Sequence, residues 1–342
     1  GASLIAGRFN GDSYDDLAIG VYGENGGVGG VHVIHGSAER LTTEGSQFFV
    51  STDVGDPVSS SDNFGWALTA GYFDDDEFQD LAIGSPFDNG SGVVYVLYGT
   101  FAGISGAGAQ NWSQSSPNIE DNSEPNDRFG SSLSAGDFNA DGIDDLAIGV
   151  VGESIGAASD TGAVNAIYGS AAGLTATGDQ FWHQNSLGIL DQNEDGDSFA
   201  WSLVAGDFDA DGHDDLAIGV VSEDVPPFQD AGAVSVLYGS GTGLSVTDQF
   251  WHQNSVGIDD SCELGDNFGR ALAMGDFNGD DAADLAIGVP SEDVGAVSNA
   301  GAVSVIYGDL IDGLVSIDQF LVQNVAGEAP EPGDAFGSGL SR

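Results

Sequence analysis

Lysine is missing from this chain and arginine occurs only five times, against 55 aspartates and glutamates, which leaves a formal net charge of −50. A field so one-sided repels nucleic acid and anionic membrane surfaces, and both are set aside as partners. Cysteine occurs once, as Cys262, so no disulfide can form within the chain. No apolar run approaches the roughly 20 residues that a membrane-spanning helix needs, so insertion into a bilayer is not expected. No signal peptide is recognisable, and the chain begins at Gly1 as a processed or truncated product would. Helical periodicity is lacking throughout. No nucleophile motif, glycine-rich phosphate loop or nucleotide fingerprint is apparent. Paired carboxylates are too common in so acidic a chain to argue for a hydrolase. The expectation is a protein that is not an enzyme. Zinc is not expected either, since His183 and His252 stand beside tryptophans with no Cys or second His at a ligand spacing.

What the chain does have is acid in a pattern. The stretch Asp137-Phe138-Asn139-Ala140-Asp141-Gly142-Ile143-Asp144-Asp145 puts acidic or amide side chains at loop positions 1, 3, 5 and 9. Gly142 stands at position 6, where the backbone turns sharply, and Ile143 at position 7 offers only its carbonyl. That alternation collects hard oxygen ligands around one centre, with room for a calcium-sized cation. The frame recurs with Asp207, Asp209, Asp211, His213 and Asp215, and again with Asp276, Asn278, Asp280, Ala282 and Asp284. In this last copy Asp281 replaces the glycine, and Asp tolerates such a turn. An earlier copy keeps Asp74, Asp76, Phe78 and Asp80 but opens on Tyr72, and it is expected to bind more weakly. The first copy has Asn10, Asp12, Tyr14 and Asp16 behind Arg8. An arginine there removes a ligand and repels calcium, so this loop is expected to be weak or metal-free, with the guanidinium neutralising Asp12 or Asp16. The alternative has Arg8 turned away and water in the vacancy. First positions 8, 72, 137, 207 and 276 lie 64, 65, 70 and 69 residues apart, a period that chance acidic turns do not keep.

With 41% hydrophobic residues the chain can bury a core despite its charge. The third repeat reads as four short β-runs, 129–136, 145–150, 162–169 and 179–185, punctuated by Gly, Asn and Asp. Small residues such as Ala147 and Gly149 among Leu and Ile suit a strand covered on both faces, as neighbouring propeller blades cover one another. The fold class is therefore all-β, a β-propeller of four-stranded antiparallel blades. The repeats run approximately over 1–63, 64–128, 129–198, 199–267 and 268–335. Residues 336–342 match the opening strand of another unit. The simpler reading is a fragment of a longer propeller; the alternative pairs the spare strand with another chain.

Phe129-Gly130 ahead of the acidic loop, followed by Leu146-Ala147-Ile148-Gly149, resembles the FG-GAP repeats of integrin α-subunit propellers and their microbial relatives. Phe64-Gly65, Phe268-Gly269 and Phe336-Gly337 repeat the leading pair, and Phe199-Ala200 departs from it by one methyl. The resemblance covers the whole chain. It implies that the acidic loop joins strands 1 and 2 on one face, while the 2–3 and 4–1 loops present the opposite face to partners. Integrin propellers usually carry disulfides within longer receptors, and a chain with one cysteine looks more like a microbial integrin-like protein.

The expected function is a calcium-binding recognition or adhesion propeller, with about three to five structural calcium ions in the strand 1–2 loops. The cytosol holds too little free calcium to fill such loops, which favours an extracellular or cell-surface, secreted setting over a periplasmic one. The ligand class stays open between protein and glycan. One alternative is a propeller lectin using loop aromatics such as Trp66, Trp201 or Phe228, and another is a self-assembling surface or filament protein. The recurrent Phe-Trp-His-Gln-Asn run at 181–185 and 250–254 keeps step with the fold, and packing is its expected role.

Overall fold

The computed structural model describes residues 3–57, 61–310, 312–323 and 329–340. It contains five four-stranded antiparallel sheets, each wound in chain order so that neighbouring strands are joined by hairpins. The first comprises β1 (Ser3–Gly7), β2 (Asp16–Gly20), β3 (Val31–His35) and β4 (Thr42–Phe49). The second comprises β5 (Leu68–Gly71), β6 (Asp80–Ser85), β7 (Val93–Tyr98) and β8 (Ser105–Trp112). The third holds β9 (Phe129–Gly136), β10 (Asp145–Val150), β11 (Ala163–Tyr168) and β12 (Thr175–Trp182). The fourth holds β13 (Phe199–Gly206), β14 (Asp215–Val220), β15 (Ala233–Leu237) and β16 (Asp248–Trp251). The fifth holds β17 (Leu272–Gly275), β18 (Asp284–Val289), β19 (Ala302–Ile306) and β20 (Asp318–Val322). This is the all-β propeller class, built of four-stranded blades.

The chain divides into two compact units, one of Gly1–Gly136, Gly142–Glu153 and Val164–Phe181, the other of Asp137–Asp141, Ser154–Ala163 and Trp182–Arg342. In both, the second strand of each sheet carries the core. Strands β6, β10, β14 and β18 are buried at every residue. Their Asp-Leu-Ala-Ile-Gly sequence supplies a large apolar side chain at alternate positions and a small one between, which lets a sheet pack closely on both faces. Fully buried phenylalanines from both halves of the motif fill the space beside them: Phe64, Phe73 and Phe129 in the first unit, Phe138, Phe199, Phe208 and Phe268 in the second.

The two glycine-bearing ends of the repeat motif meet across neighbouring sheets. Each leading glycine (Gly65, Gly130, Gly269, Gly337) sits in the left-handed region, with φ between 84° and 88°. Its carbonyl faces the Gly of the preceding Leu-Ala-Ile-Gly, so that a Cβ added at Gly20, Gly84, Gly219 or Gly288 would strike that oxygen. Ala200 holds the same backbone conformation at φ 69°, a strained one for a residue with a Cβ. The fourth strand of the third repeat ends at Trp182, so the expected strand over 179–185 is displaced, and Gln184 and Asn185 lie in the turn beyond it. The expected opening strand at 336–342 reaches only one parallel bridge, Phe336 to Gly301, and residues 337–340 form no strand. Residues 341–342 lie outside the described residues.

Candidate metal centres

The 1–2 hairpin loops are shaped from within by their own acids. In the fourth repeat the Asp207 carboxylate accepts the N–H groups of Asp211 and Gly212, both at 3.0 Å. Asp209 accepts the Asp211 N–H at 3.2 Å, and Asp211 accepts the His213 N–H at 2.9 Å. These turns fold the chain back at every second residue and leave the remaining carboxylate lone pairs facing one another. Oxygens of Asp207, Asp209 and Asp215 all lie within 4.8 Å of one another. The second repeat builds the same group from Asp74, Asp76 and Asp80, again within 4.8 Å. Both are all-oxygen donor sets of the kind a hard divalent cation takes.

The position-9 aspartates do more than the sequence suggests. Asp16, Asp80, Asp145, Asp215 and Asp284 are all buried. In Asp215 one oxygen accepts the Phe208 N–H at 2.8 Å and the other the Gly239 N–H at 2.8 Å. Asp80 does the same with Phe73 and Gly99, both at 2.9 Å. Asp16 serves Phe9 at 3.1 Å and Gly36 at 2.8 Å, and Asp284 serves Phe277 at 2.6 Å and Gly308 at 3.0 Å. Asp145 accepts from Gly169 at 2.9 Å. Each is a strut tying the loop to the end of the third strand, with lone pairs left for an ion. Burial, with the charges of the other loop carboxylates, pushes Asp80 and Asp215 up to about 8. A divalent cation between those carboxylates would reverse that penalty, so the residues fit the group.

The remaining loops vary. In the third, Asp137 and Asn139 accept the Asp141 N–H at 3.0 and 2.8 Å. The fifth follows the plan at Asp276, which accepts from Gly279, Asp280 and Asp281 at 2.6, 3.1 and 3.2 Å. Asp280 accepts the Ala282 N–H at 3.1 Å, and Asn278 turns its amide N–H to Asp280 at 3.0 Å. Asp281 adopts φ 75°, beside 91° and 92° for Gly142 and Gly212 at the same position. At position 7 of the second loop Phe78 likewise donates its N–H to Asp76 at 2.7 Å.

The first loop departs in a way that corrects the expectation. Arg8 Nε donates to Asp15 at 3.2 Å, not to Asp12 or Asp16, in an exposed pair. Asp15 is the side chain within its reach on the outer side of the loop, whereas Asp16 is buried and already accepts two backbone N–H groups. Asn10 is tied to His35 at 2.7 Å, and Tyr14 donates its N–H to Asp12 at 2.8 Å.

Position 8 is a latch between loops. In the first unit Gln79 N–H donates to the Arg8 carbonyl at 3.1 Å while Arg8 N–H donates to Gln79 Oε1 at 2.8 Å. Asp144 and Tyr72 exchange the same pair of bonds at 2.8 Å each. In the second unit Asp214 and Asp137 do so at 3.0 Å each. Ala283 keeps only the backbone half, donating to Asp207 at 2.9 Å. The acid or amide at this position was visible, but its partner lies some seventy residues away, in the previous loop.

With this geometry the class is defined: a β-propeller of FG-GAP repeats, integrin-like in type. The FG-GAP repeat family matches residues 129–164, 199–237 and 268–306. The chain is similar to "Phosphatidylinositol-glycan-specific phospholipase D" of Rattus norvegicus, 35% identical over 32% of this chain and 13% of the relative. The phospholipase of the same name from Bos taurus is 32% identical over 54% of this chain and 21% of its own length. "Integrin alpha-PS2" of Drosophila melanogaster is 28% identical over 66% of this chain and 15% of the integrin. The chain thus spans about a fifth or less of these curated relatives. The phospholipases correct one expectation. A chain whose relatives include enzymes is not set apart from enzymes by lacking a recognised motif. Against the expectation of no nucleophile motif, Gly152-Glu153-Ser154-Ile155-Gly156 spells G-x-S-x-G. It follows β10 and enters an irregular turn, without the helix that a strained nucleophile elbow requires. No helix among the described residues is long and apolar enough to cross a membrane.

Proposed function

We propose that the chain is a calcium-stiffened recognition module working in an extracellular or cell-surface setting. The observation that carries the metal half is the convergence of Asp207, Asp209 and Asp215, and of Asp74, Asp76 and Asp80, within 4.8 Å. Calcium held by these residues, with the position-7 carbonyls of His213 and Phe78 as further donors, offsets carboxylate repulsion and fixes the hairpins. Loops of this type in the third and fifth repeats, built on Asp137, Asn139, Asp141, Ile143 and Asp145 and on Asp276, Asn278, Asp280, Ala282 and Asp284, complete the set.

Recognition belongs to the other end of the strands. There the half-buried Tyr22 and the exposed Trp66 and Phe87 form an aromatic row, with ring centroids 4.6 and 5.7 Å apart, and Arg128 lies 5.9 Å from the Phe87 ring. Flat aromatic faces beside polar loops suit a glycan or a protein loop. Thermal unfolding with and without excess chelator, paired with metal counting on the intact protein, tests the metal half. About three to five bound calcium ions and a lowered midpoint on chelation are expected; metal-free protein with an unchanged midpoint would refute it. Loss of glycan binding on W66A/F87A tests the recognition half.

A second reading rests on the phospholipase relatives. In it the propeller serves an enzyme that cleaves phosphatidylinositol glycan, orienting the glycan on the aromatic row. Retention of phosphatidylinositol glycan by this chain, abolished by W66A/F87A, is the expected result.

A further inference from the structure

The loops between the second and third strands differ in length from repeat to repeat. In the third, fourth and fifth repeats they run twelve residues, 151–162, 221–232 and 290–301, whereas in the second they run seven, 86–92. In the third repeat the longer loop is tied to the segment that follows β12. Asn193 Nδ2 donates to the Ile155 carbonyl at 3.4 Å, and the Asp195 carboxylate accepts the Ser159 N–H at 2.8 Å. Shared turns put the second repeat in register with the third. Ser113 and His183 each donate an N–H, at 3.0 Å, to a serine hydroxyl three residues on. Glu124 and Glu194 each donate theirs to an aspartate three residues on. Ser113, Ser115, Ser123 and Pro125 therefore stand where the third repeat has His183, Asn185, Asn193 and Asp195. The loop is shorter, and the side chains beneath it are smaller.

The space so released is a cavity of about 440 Å³, whose polar lining is Asn89, Ser91, Ser113, Ser115, Ser123 and Glu124. Its walls are fixed by backbone bonds. The Asn126 N–H donates to the Gly90 carbonyl and the Phe129 N–H to the Ser91 carbonyl, both at 2.8 Å. The Glu124 N–H is held by the buried Asp127. The six polar side chains, by contrast, make no hydrogen bond among the described residues. A cavity of this size falls within the range of small-molecule sites. Its hydroxyl-rich wall does not suit an apolar guest. With Glu124 in the lining and a net charge of −50 around it, an anionic guest is disfavoured too. Serine hydroxyls and the amide both donate and accept, and the carboxylate accepts, which complements a ring bearing hydroxyls on adjacent carbons.

We propose that this cavity seats one neutral hexose unit of a glycan. The proposal rests on the glycan reading of the aromatic row and adds a pocket that selects the sugar. Phe87, at the end of that row, precedes Asn89 by two residues in the same loop, which sets the cavity beside the row. A peptide guest fits less well, because Pro125 replaces the carboxylate that holds the loop backbone in the third repeat.

Saturation-transfer NMR of the full chain with the methyl glycosides of glucose, mannose and galactose tests this. At least one should bind saturably. S113H/S115N/S123N, which restores side chains that the third repeat already accommodates, should abolish the transfer. W66A/F87A should leave it in place, so that loss of the cavity and loss of the row are told apart. Should the triple variant not fold, Glu124→Ala, at an exposed position, decides. It should weaken binding about tenfold, the share of one hydrogen bond to a charged group. Transfer to none of the three glycosides would overturn the inference, as would wild-type affinity in the folded triple variant or in E124A. Binding lost in W66A/F87A and kept in the triple variant would overturn it as well, by moving the sugar to the row.

Discussion

The first and fourth acidic loops occupy the same place in their sheets and differ where an ion would sit. In the fourth, Asp207 gathers two backbone N–H groups and brings its carboxylate within 4.8 Å of those of Asp209 and Asp215. In the first, Arg8 swings outward to Asp15 and Asn10 is spent on His35. Yet Asp16 and Asp215 make the same two backbone bonds, and position 8 of the following loop reaches both, Gln79 N–H at the Arg8 carbonyl and Ala283 N–H at the Asp207 carbonyl. The frame and the ligands are separable. Positions 8 and 9 build the hairpin and join it to its neighbour, and positions 1, 3 and 5 add an ion beside the position-9 carboxylate where the side chains allow.

The largest effect should come from the frame and persist in chelator. Asp215→Ala and Asp16→Ala each strand two backbone N–H groups, at about 1–3 kcal/mol apiece. Chemical denaturation in chelator should show comparable losses at both loops, and in calcium the loss at Asp215 should grow by a calcium-linked part, because Asp215 also faces Asp207 and Asp209. A loss at Asp215 that vanishes in chelator would make it a ligand and not a strut. The ligand positions should behave in the opposite manner. Asp211→Ala should remove the calcium-linked part of stability, about 2.7 kcal/mol for a site at a hundredfold excess over its Kd. Asp12→Ala should change calcium dependence little. Equal calcium effects at the two would erase the distinction between the loops.

A pH titration of the chelated protein adds buried acids outside the loops to the loop aspartates Asp80 and Asp215, which burial pushes up to about 8. Burial, with the charge of Glu120, lifts Asp179 to about 7, and burial lifts Asp248 to about 6. The folded state therefore binds protons more tightly than the unfolded one. Stability from these groups is full below about pH 4 and is lost as the pH rises through about 6 and 7. In chelator the melting midpoint should fall by about 2–4 °C between pH 5 and 8 for each kcal/mol lost, and Asp179→Asn should flatten part of that slope.

The period, the four strands per repeat and the loop frame were legible because each is written in residues adjacent in sequence. An aspartate at every second position makes its own turn, and Leu-Ala-Ile-Gly declares a strand buried on both faces. The rest depends on residues far apart. Nothing local to Gln184 says that its amide meets Glu223, which belongs to the next sheet. Nothing local to Arg8 distinguishes Asp15 from Asp12 or Asp16 as its partner. The strand 4 boundary slipped because Phe181 and Trp182 continue into His183 and Gln184 without a turn residue to mark the end.

The smallest expected effect tests the latch. Asp214 holds Asp137 by two hydrogen bonds, one from its own N–H to the Asp137 carbonyl and one from the Asp137 N–H to its carboxylate. Asp214→Ala removes the second and leaves the first, which is the arrangement that Ala283 and Asp207 already have. The cost should be about 1 kcal/mol, and Asp214→Asn, which keeps an acceptor, should recover most of it. Ion count should be unaffected, since position 8 points to the neighbouring loop and not into its own. A calcium ion lost together with that kcal/mol would mean that neighbouring loops bind as a coupled set. The latch would then carry binding energy from one loop to the next, and frame and ligands would no longer be separable.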